Sequence, residues 1–157
     1  MKKLMLLISH GLVGFAGFAL GVYLLPILIQ PQGPSEQEIS SAVAQAQFEG
    51  QFVKELKGSD FLHWGEGSVM LGGGVAAFKG KLAPGPDYKL YLSPVFVDDE
   101  MSFLENKRDM VQVAEIKTFD GFVVNLPEGV DPAKYSTAVI WCETFSEFIS
   151  AARYNSL

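Results

Sequence analysis

The run Tyr135-Ser136-Thr137-Ala138-Val139-Ile140-Trp141-Cys142-Glu143-Thr144-Phe145 carries the only cysteine of the chain, in the most apolar segment outside the N-terminal block. Its centre is β-branched and aromatic, and Asp131-Pro132 precedes it, which predicts a β-strand. Alternation places Ala138, Ile140 and Cys142 on one face, and Val139 and Trp141 on the other. Because both faces are apolar, we expect a central strand buried between two layers, with the cysteine pointing inward.

Composition limits the classes of protein that the chain can belong to. It has 157 residues, 48% of them hydrophobic, with 12 basic and 18 acidic side chains. Lys2 and Lys3 precede the N-terminal apolar block, so the rest of the chain has 10 basic against 18 acidic residues, a net charge of −8. This sign argues against nucleic acid as a partner and against docking on anionic lipid through a basic patch. A single cysteine also excludes an intramolecular disulfide.

Residues 4–29 contain no Asp, Glu, Lys or Arg and exceed the roughly 20 residues that a helix needs to cross a bilayer. Either a transmembrane anchor or a signal peptide fits such a block. The apolar run continues well past the small-residue motif Gly17-Phe18-Ala19, which favours an uncleaved anchor with the lipid bilayer as partner. Lys2 and Lys3 lie on its amino side, and no cation follows closely, so the expected topology is single-pass in the cytoplasmic (inner) membrane. The N-terminus is then inside and the C-terminal domain extracytoplasmic, or periplasmic.

The remainder of the chain divides into a spacer and one domain. Pro31, Gly33 and Pro34 break the membrane helix, and Ser35 with Glu38 forms a capping-box signature for a short helix over 36–48, predicted as a stalk. We therefore expect an anchor over 1–30, a Pro-rich spacer with a short helix over 31–47, and a domain over 48–157.

From residue 48 the pattern becomes all-β. Short apolar runs alternate with Gly, Pro and Asp turns, and the segment after Asp98-Asp99-Glu100 is left open between a short helix and a loop. The expected fold is an antiparallel β-sandwich or barrel-like domain, which hides many short strand edges. The predicted strands cover 48–55, 63–71, 75–81, 88–92, 111–116, 122–126, 138–142 and 148–154.

Three segments of this domain resemble the DM-thirteen family, small β domains often found beside DOMON domains and proposed to take part in electron transfer. They are His63-Trp64-Gly65-Glu66-Gly67-Ser68-Val69, Gly85-Pro86-Asp87-Tyr88-Lys89-Leu90-Tyr91-Leu92-Ser93, and the run from Tyr135 to Phe145 followed by Phe148 and Ala151. The resemblance implies a β-sandwich or barrel with a redox thiol at Cys142. It implies an electron-transfer component with a membrane redox protein as partner rather than a stand-alone enzyme, and it leaves the cofactor unknown.

The residues themselves leave the role of Cys142 open. A redox or ligand thiol needs access and a cation, metal or helix N-terminus to lower its pKa, whereas the sequence supplies Glu143, which would raise that pKa if it lay close. A buried packing role is the common one for a free cysteine.

Two further residues were weighed as neighbours of the site. Trp141 is expected in the core with its indole N–H bound to a carbonyl, and an electron relay is the alternative. His63 could ligate a metal or haem, but no second ligand is visible, and a hydrogen-bonded turn histidine is favoured. No metal site and no Ser/His/Asp or Cys/His catalytic pair is indicated.

Two functions therefore remain from the sequence. One is a membrane-anchored extracytoplasmic domain with an electron-transfer or thiol-redox role centred on Cys142. The other is a non-catalytic, membrane-tethered β-domain that serves as a binding or adaptor module, with Cys142 a structural core residue. They differ in what they demand of Cys142: the redox role needs a thiol that reacts in the folded state, or a bound chromophore.

Overall fold

The computed structural model describes residues 1–156, so Leu157, the last residue of the predicted domain, lies outside the described residues. Within this range a long N-terminal helix and a short second helix precede two four-stranded antiparallel sheets. The helices are α1 (Lys2–Ile29), α2 (Glu36–Val43) and α3 (Glu100–Asn106). The strands are β1 (Phe48–Phe52), β2 (Gly65–Gly72), β3 (Val75–Leu82), β4 (Tyr88–Ser93), β5 (Val111–Ile116), β6 (Gly121–Asn125), β7 (Thr137–Cys142) and β8 (Glu147–Arg153).

The two sheets pack face to face as a β-sandwich. The first has the strand order β1-β2-β3-β6 and the second the order β5-β4-β7-β8. Apolar side chains from both sheets fill the space between them, among them Phe52, Phe78, Leu90, Ile140 and Ile149. The two sheets approach closely where β1 meets β8, since a Cβ added to Gly50 would come within 2.7 Å of the Arg153 carbonyl oxygen. The all-β expectation is confirmed.

Strand β7 is the centre of the second sheet, paired with β4 on one side and β8 on the other, and all six of its residues are buried. Ala138, Ile140 and Cys142 face the space between the sheets, whereas Val139 and Trp141 face outward into a second, smaller core. The predicted division of faces is therefore confirmed. It follows from the two-residue period of a strand.

The outward face of β7 is buried because α3 covers it. Asp99 caps this helix: its side chain accepts a hydrogen bond from the Ser102 backbone N–H at 2.8 Å, and Ser102 reaches back to the Asp99 N–H. The acidic run that the sequence left open thus starts a helix. Phe103 projects from it against the sheet and is fully buried.

Helix α2 begins with the predicted capping box of Ser35 and Glu38. It ends at Val43, five residues before the predicted end, because the chain must turn before β1 begins at Phe48. Ala42 packs against Met70 and Ala77 on the outer face of the first sheet. The predicted stalk helix therefore rests on the domain.

Helix α1 is long and apolar enough to cross a membrane, and a signal sequence near the N-terminus would meet the same criteria. Its residues are almost all exposed. Residues 30–35 separate its end from the start of α2, so the domain stays close to the C-terminal end of α1.

Candidate functional site

Cys142 lies at the end of β7, where the sandwich opens into a cleft of about 600 Å³ between the domain and α1. The cysteine is only 2% exposed. On the domain side, His63, Tyr88 and Phe145 line the same cleft, and on the other side Phe18 and Val22 of α1 do. The thiol therefore belongs to the inter-sheet core and also to the wall of an apolar cleft.

Opposing effects act on the ionisation of the Cys142 thiol. Burial raises its pKa, because the low-polarity surroundings disfavour the thiolate. Hydrogen bonds from the backbone N–H groups of Phe145, Asp87 and Thr144 favour the thiolate and partly offset the burial. The net effect is a raised pKa, so Cys142 is a protonated thiol at neutral pH, in contact with amide donors that can stabilise negative charge on sulfur.

Tyr88 is the cross-strand partner of Cys142 in the pairing of β4 with β7, so their side chains leave the sheet on the same face. The tyrosine is 2% exposed. Burial raises the pKa of its phenol, and the nearby Cys142 raises it further. Tyr88 was not singled out from the sequence, although its place in the alternating run Tyr88, Leu90, Leu92 predicts an inward-facing side chain.

His63 stands in the turn before β2, with Nδ1 3.1 Å from Asp60 Oδ2. Burial alone would raise the pKa of Asp60, but hydrogen bonds from the Leu62 N–H and from His63 lower it, so this carboxylate is an acceptor. Nδ1 of His63 must then carry the proton, which leaves Nε2 as the unprotonated ring nitrogen of the neutral imidazole. The histidine is thus the satisfied turn residue expected from the sequence, and it also shares the cleft with Cys142.

Trp141 and Glu143, the other two candidate neighbours, lie on the opposite face of the sheet. The Trp141 ring stacks on Phe103 with centroids 3.9 Å apart and planes 10° apart, and Tyr91 packs edge-on against Phe103. The expected hydrogen bond of the indole is wrong: Trp141 Nε1 is buried with no partner within residues 1–156. The backbone carbonyls of the flanking strands are committed to the sheet ladder, and the stack holds the ring away from other acceptors.

Glu143 belongs to a polar group that closes this outer core. It accepts a hydrogen bond from the Tyr91 hydroxyl, and Lys107 Nζ lies 2.8 Å from both carboxylate oxygens. Burial would raise the pKa of Glu143, but the hydrogen bonds from Lys107 and Tyr91 lower it. Its charge is neutralised locally, so the concern that Glu143 raises the pKa of Cys142 is not what the structure shows. Lys107 and Tyr91 were not singled out from the sequence.

The structure thus brings Cys142, His63 and Tyr88 to one cleft and places Trp141 and Glu143 behind the sheet. Within the described residues, 1–156, no group of three or more His, Cys, Asp or Glu side chains is arranged to hold a metal ion. The cleft has one thiol, one imidazole and one phenol, enough to bind and orient an organic redox molecule or to contribute individual ligands to a group supplied from outside.

Comparison with known proteins gives one match. The family described as Electron transfer DM13 matches residues 52–154, which is 103 of the 157 residues and includes all three segments that carried the resemblance. No curated protein and no solved structure matches the chain. Because the match spans the whole sandwich from the end of β1 to the residue after β8, the chain belongs to the electron transfer DM13 family.

Proposed function

We propose that the protein is a membrane-anchored electron-transfer domain whose redox site is the cleft lined by Cys142. Membership of an electron-transfer family supports the general function. The observation that carries the assignment to this cleft is the placement of the only cysteine on its wall, beneath three backbone N–H donors. A cysteine serving only as core filler needs neither the cleft nor the donors.

A redox reaction at this sulfur requires a partner, because the chain has no second thiol. In thiol–disulfide exchange, the Cys142 thiol loses its proton and attacks a disulfide of a membrane redox protein. A mixed disulfide forms between Cys142 and one partner sulfur, and the other partner sulfur leaves as a thiol. The backbone N–H groups stabilise the thiolate during the attack, and the raised pKa keeps the resting thiol protonated and unreactive toward small oxidants.

A non-catalytic adaptor is the second candidate, and a specific observation favours it. Cys142 is 2% exposed and its pKa is raised by burial, as for a structural cysteine. In that case the sandwich is a binding module tethered by α1, and the sulfur fills the end of the core.

Native-state thiol labelling of the full chain in phospholipid nanodiscs, combined with an absorbance spectrum of the membrane-extracted protein, decides between the two. Because Cys142 is the only cysteine, Cys142→Ala supplies the labelling blank. The electron-transfer proposal expects a thiol that is labelled in the folded state by a small, membrane-permeant maleimide, or a chromophore that co-purifies. Labelling only after unfolding, together with a featureless visible spectrum, would leave the adaptor.

We further propose that α1 is an uncleaved, single-pass anchor with its N-terminus in the cytoplasm and the sandwich outside. The support is the pair Lys2 and Lys3 before a charge-free helix that ends in residues without a nearby cation. A C-terminal alkaline phosphatase fusion should be active and a cytoplasmic reporter fusion inactive. The reverse pattern would refute the topology, and a shortened mature protein in mass spectra would refute the anchor.

A further inference from the structure

The Cys142 cleft has one wall from the domain and one from the membrane-type helix. The α1 residues that line it, between Phe15 and Tyr23, belong to the apolar segment that is long enough to cross a bilayer. Its domain wall is mainly apolar as well, with Leu62, Pro86 and Phe145 around Tyr88 and Cys142. A molecule that enters this cleft in the anchored protein therefore comes from the lipid phase, since the lipid-embedded helix forms one side of the entrance.

The hydroxyl of Tyr88 is the second feature of the cleft. This side chain is 98% buried and lines the cleft, yet it makes no hydrogen bond to any residue between 1 and 156. The two other buried tyrosines are satisfied, Tyr91 by Glu143 and Tyr154 by the Pro132 carbonyl at 3.0 Å. Buried tyrosine hydroxyls normally find a partner, so a ligand oxygen is the missing acceptor.

The position of the Tyr88 ring is held by its surroundings. It packs directly over Gly85, where an added Cβ would lie 2.4 Å from the ring, and its edge meets Phe119 at a centroid distance of 6.0 Å. The hydroxyl therefore cannot swing away to another acceptor without disturbing the turn before β4. This is the fixed, isolated polar group in an apolar site that orients a small ligand.

We propose that this cleft binds the head ring of a lipid-soluble quinone, with a quinone carbonyl oxygen accepting a hydrogen bond from the Tyr88 hydroxyl. The proposal rests on the electron-transfer function, because a quinone is an electron carrier that dissolves in the membrane. The ring is flat and apolar with oxygen at its two ends, which matches an apolar cleft with one isolated phenol. In the reduced, quinol form the ring hydroxyl is a donor, and the unprotonated Nε2 of His63 is an acceptor on the same wall.

The size of the cleft agrees with this ligand. About 600 Å³ lies within the roughly 300–1,000 Å³ typical of small-molecule sites, enough for a substituted ring and the first part of its tail. A second cleft of about 590 Å³ on the neighbouring side of α1 shares Phe18, Val22, Gly85, Pro86 and Phe145 with the first. The remainder of a tail can follow this groove along the helix into the lipid.

Photo-crosslinking tests the proposal on the full chain in phosphatidylcholine nanodiscs. The probe is a short-tailed azido-ubiquinone, and unlabelled decyl-ubiquinone is the competitor. We expect saturable crosslinks on domain peptides that line the cleft, with Tyr88→Phe raising the half-saturating quinone fraction about 3- to 10-fold, the net value of one hydrogen bond. Tyr154→Phe is the matched control, since it removes a buried hydroxyl outside the cleft, and should leave crosslinking unchanged.

A second pair of variants changes α1 alone and so leaves the sandwich folded. Ala19→Trp fills the cleft from the helix side and should abolish saturable crosslinking, whereas Val13→Trp, which points away from the cleft, should not. Decanol in place of decyl-ubiquinone should compete poorly. Equal competition by decanol, or unchanged crosslinking in both Tyr88→Phe and Ala19→Trp, would overturn the proposal and mark the cleft as an acyl-chain site. Thiol labelling of Cys142 is measured without quinone, so failure here is distinguishable from failure of the electron-transfer function.

Discussion

Substituting Glu143 tests how the outer core of the second sheet is closed. Glu143→Gln keeps the shape of the side chain and removes the charge that pairs with Lys107 and accepts from Tyr91. A hydrogen bond to a charged group contributes about 1.5–3 kcal/mol, and an exposed ion pair about 0.2–1 kcal/mol. The Glu143 side chain is 28% exposed and that of Lys107 37%, so solvent screens the ion pair, and glutamine still accepts one neutral hydrogen bond from Tyr91. We expect a net loss of about 1–2 kcal/mol.

The loss should depend on pH in a definite direction. The pKa of Glu143 is lowered in the folded protein, since the hydrogen bonds from Lys107 and Tyr91 outweigh the burial that would raise it. A carboxylate with a lowered folded pKa adds stability above its unfolded pKa, about 4.3, and that stability disappears as pH falls through the folded value. The wild type and Glu143→Gln should therefore differ at pH 7 and converge toward pH 3.

Urea unfolding of the full chain in detergent micelles, followed by near-UV circular dichroism of the aromatic stack, measures this difference. Glu66→Gln is the matched control, because it breaks the exposed ion pair with Lys54 on the first sheet, with side chains 63% and 45% exposed. It should give no resolvable change. Equal losses for the two variants at pH 7, or a Glu143→Gln effect that does not vary with pH, would refute the assigned role of the Tyr91–Glu143–Lys107 group.

Three further predictions concern the free energy of unfolding, measured by the same assay. Phe103→Ala should cost about 3–5 kcal/mol because it empties the space against Trp141, and Phe103→Leu should cost about 1–2 kcal/mol, since leucine fills volume without the stack; similar losses for both would contradict the stacking argument. Asp99→Ala should cost about 1 kcal/mol through the lost cap of α3. The hydrogen bonds from Lys57 and Ser102 lower the pKa of Asp99 to about 2, so its contribution should persist to lower pH than that of an ordinary aspartate. Cys142→Ala should cost about 1–2 kcal/mol from packing alone, and a much larger loss would show that the sulfur does more than fill the core.

Much of the fold could be predicted because it depends on local patterns. The eight strands were found within one to three residues at most ends, since Gly, Pro and Asp turns separate the apolar runs. The assignment of Ile140 and Cys142 to one face and Trp141 to the other needed only the period of a strand. Which strands pair was beyond the sequence: β4 lies beside β7, more than 40 residues away, and no local signal encodes that partner. The membrane topology and the domain boundaries stay predictions.

The candidate site shows why a sequence argument that groups neighbours in the chain fails inside a strand. Trp141 and Glu143 flank Cys142 in sequence, and for that reason the alternation of a strand turns them to the opposite face, where they join Phe103 and Lys107. The true neighbours of the thiol come through pairing. Tyr88 is placed opposite Cys142 by the register of β4 with β7, and a shift of that register by one residue would put Lys89 there and turn the phenol away. The chemistry of the cleft is thus decided by a long-range register, so variants that perturb Tyr88 test the site more directly than substitutions beside Cys142 in the chain.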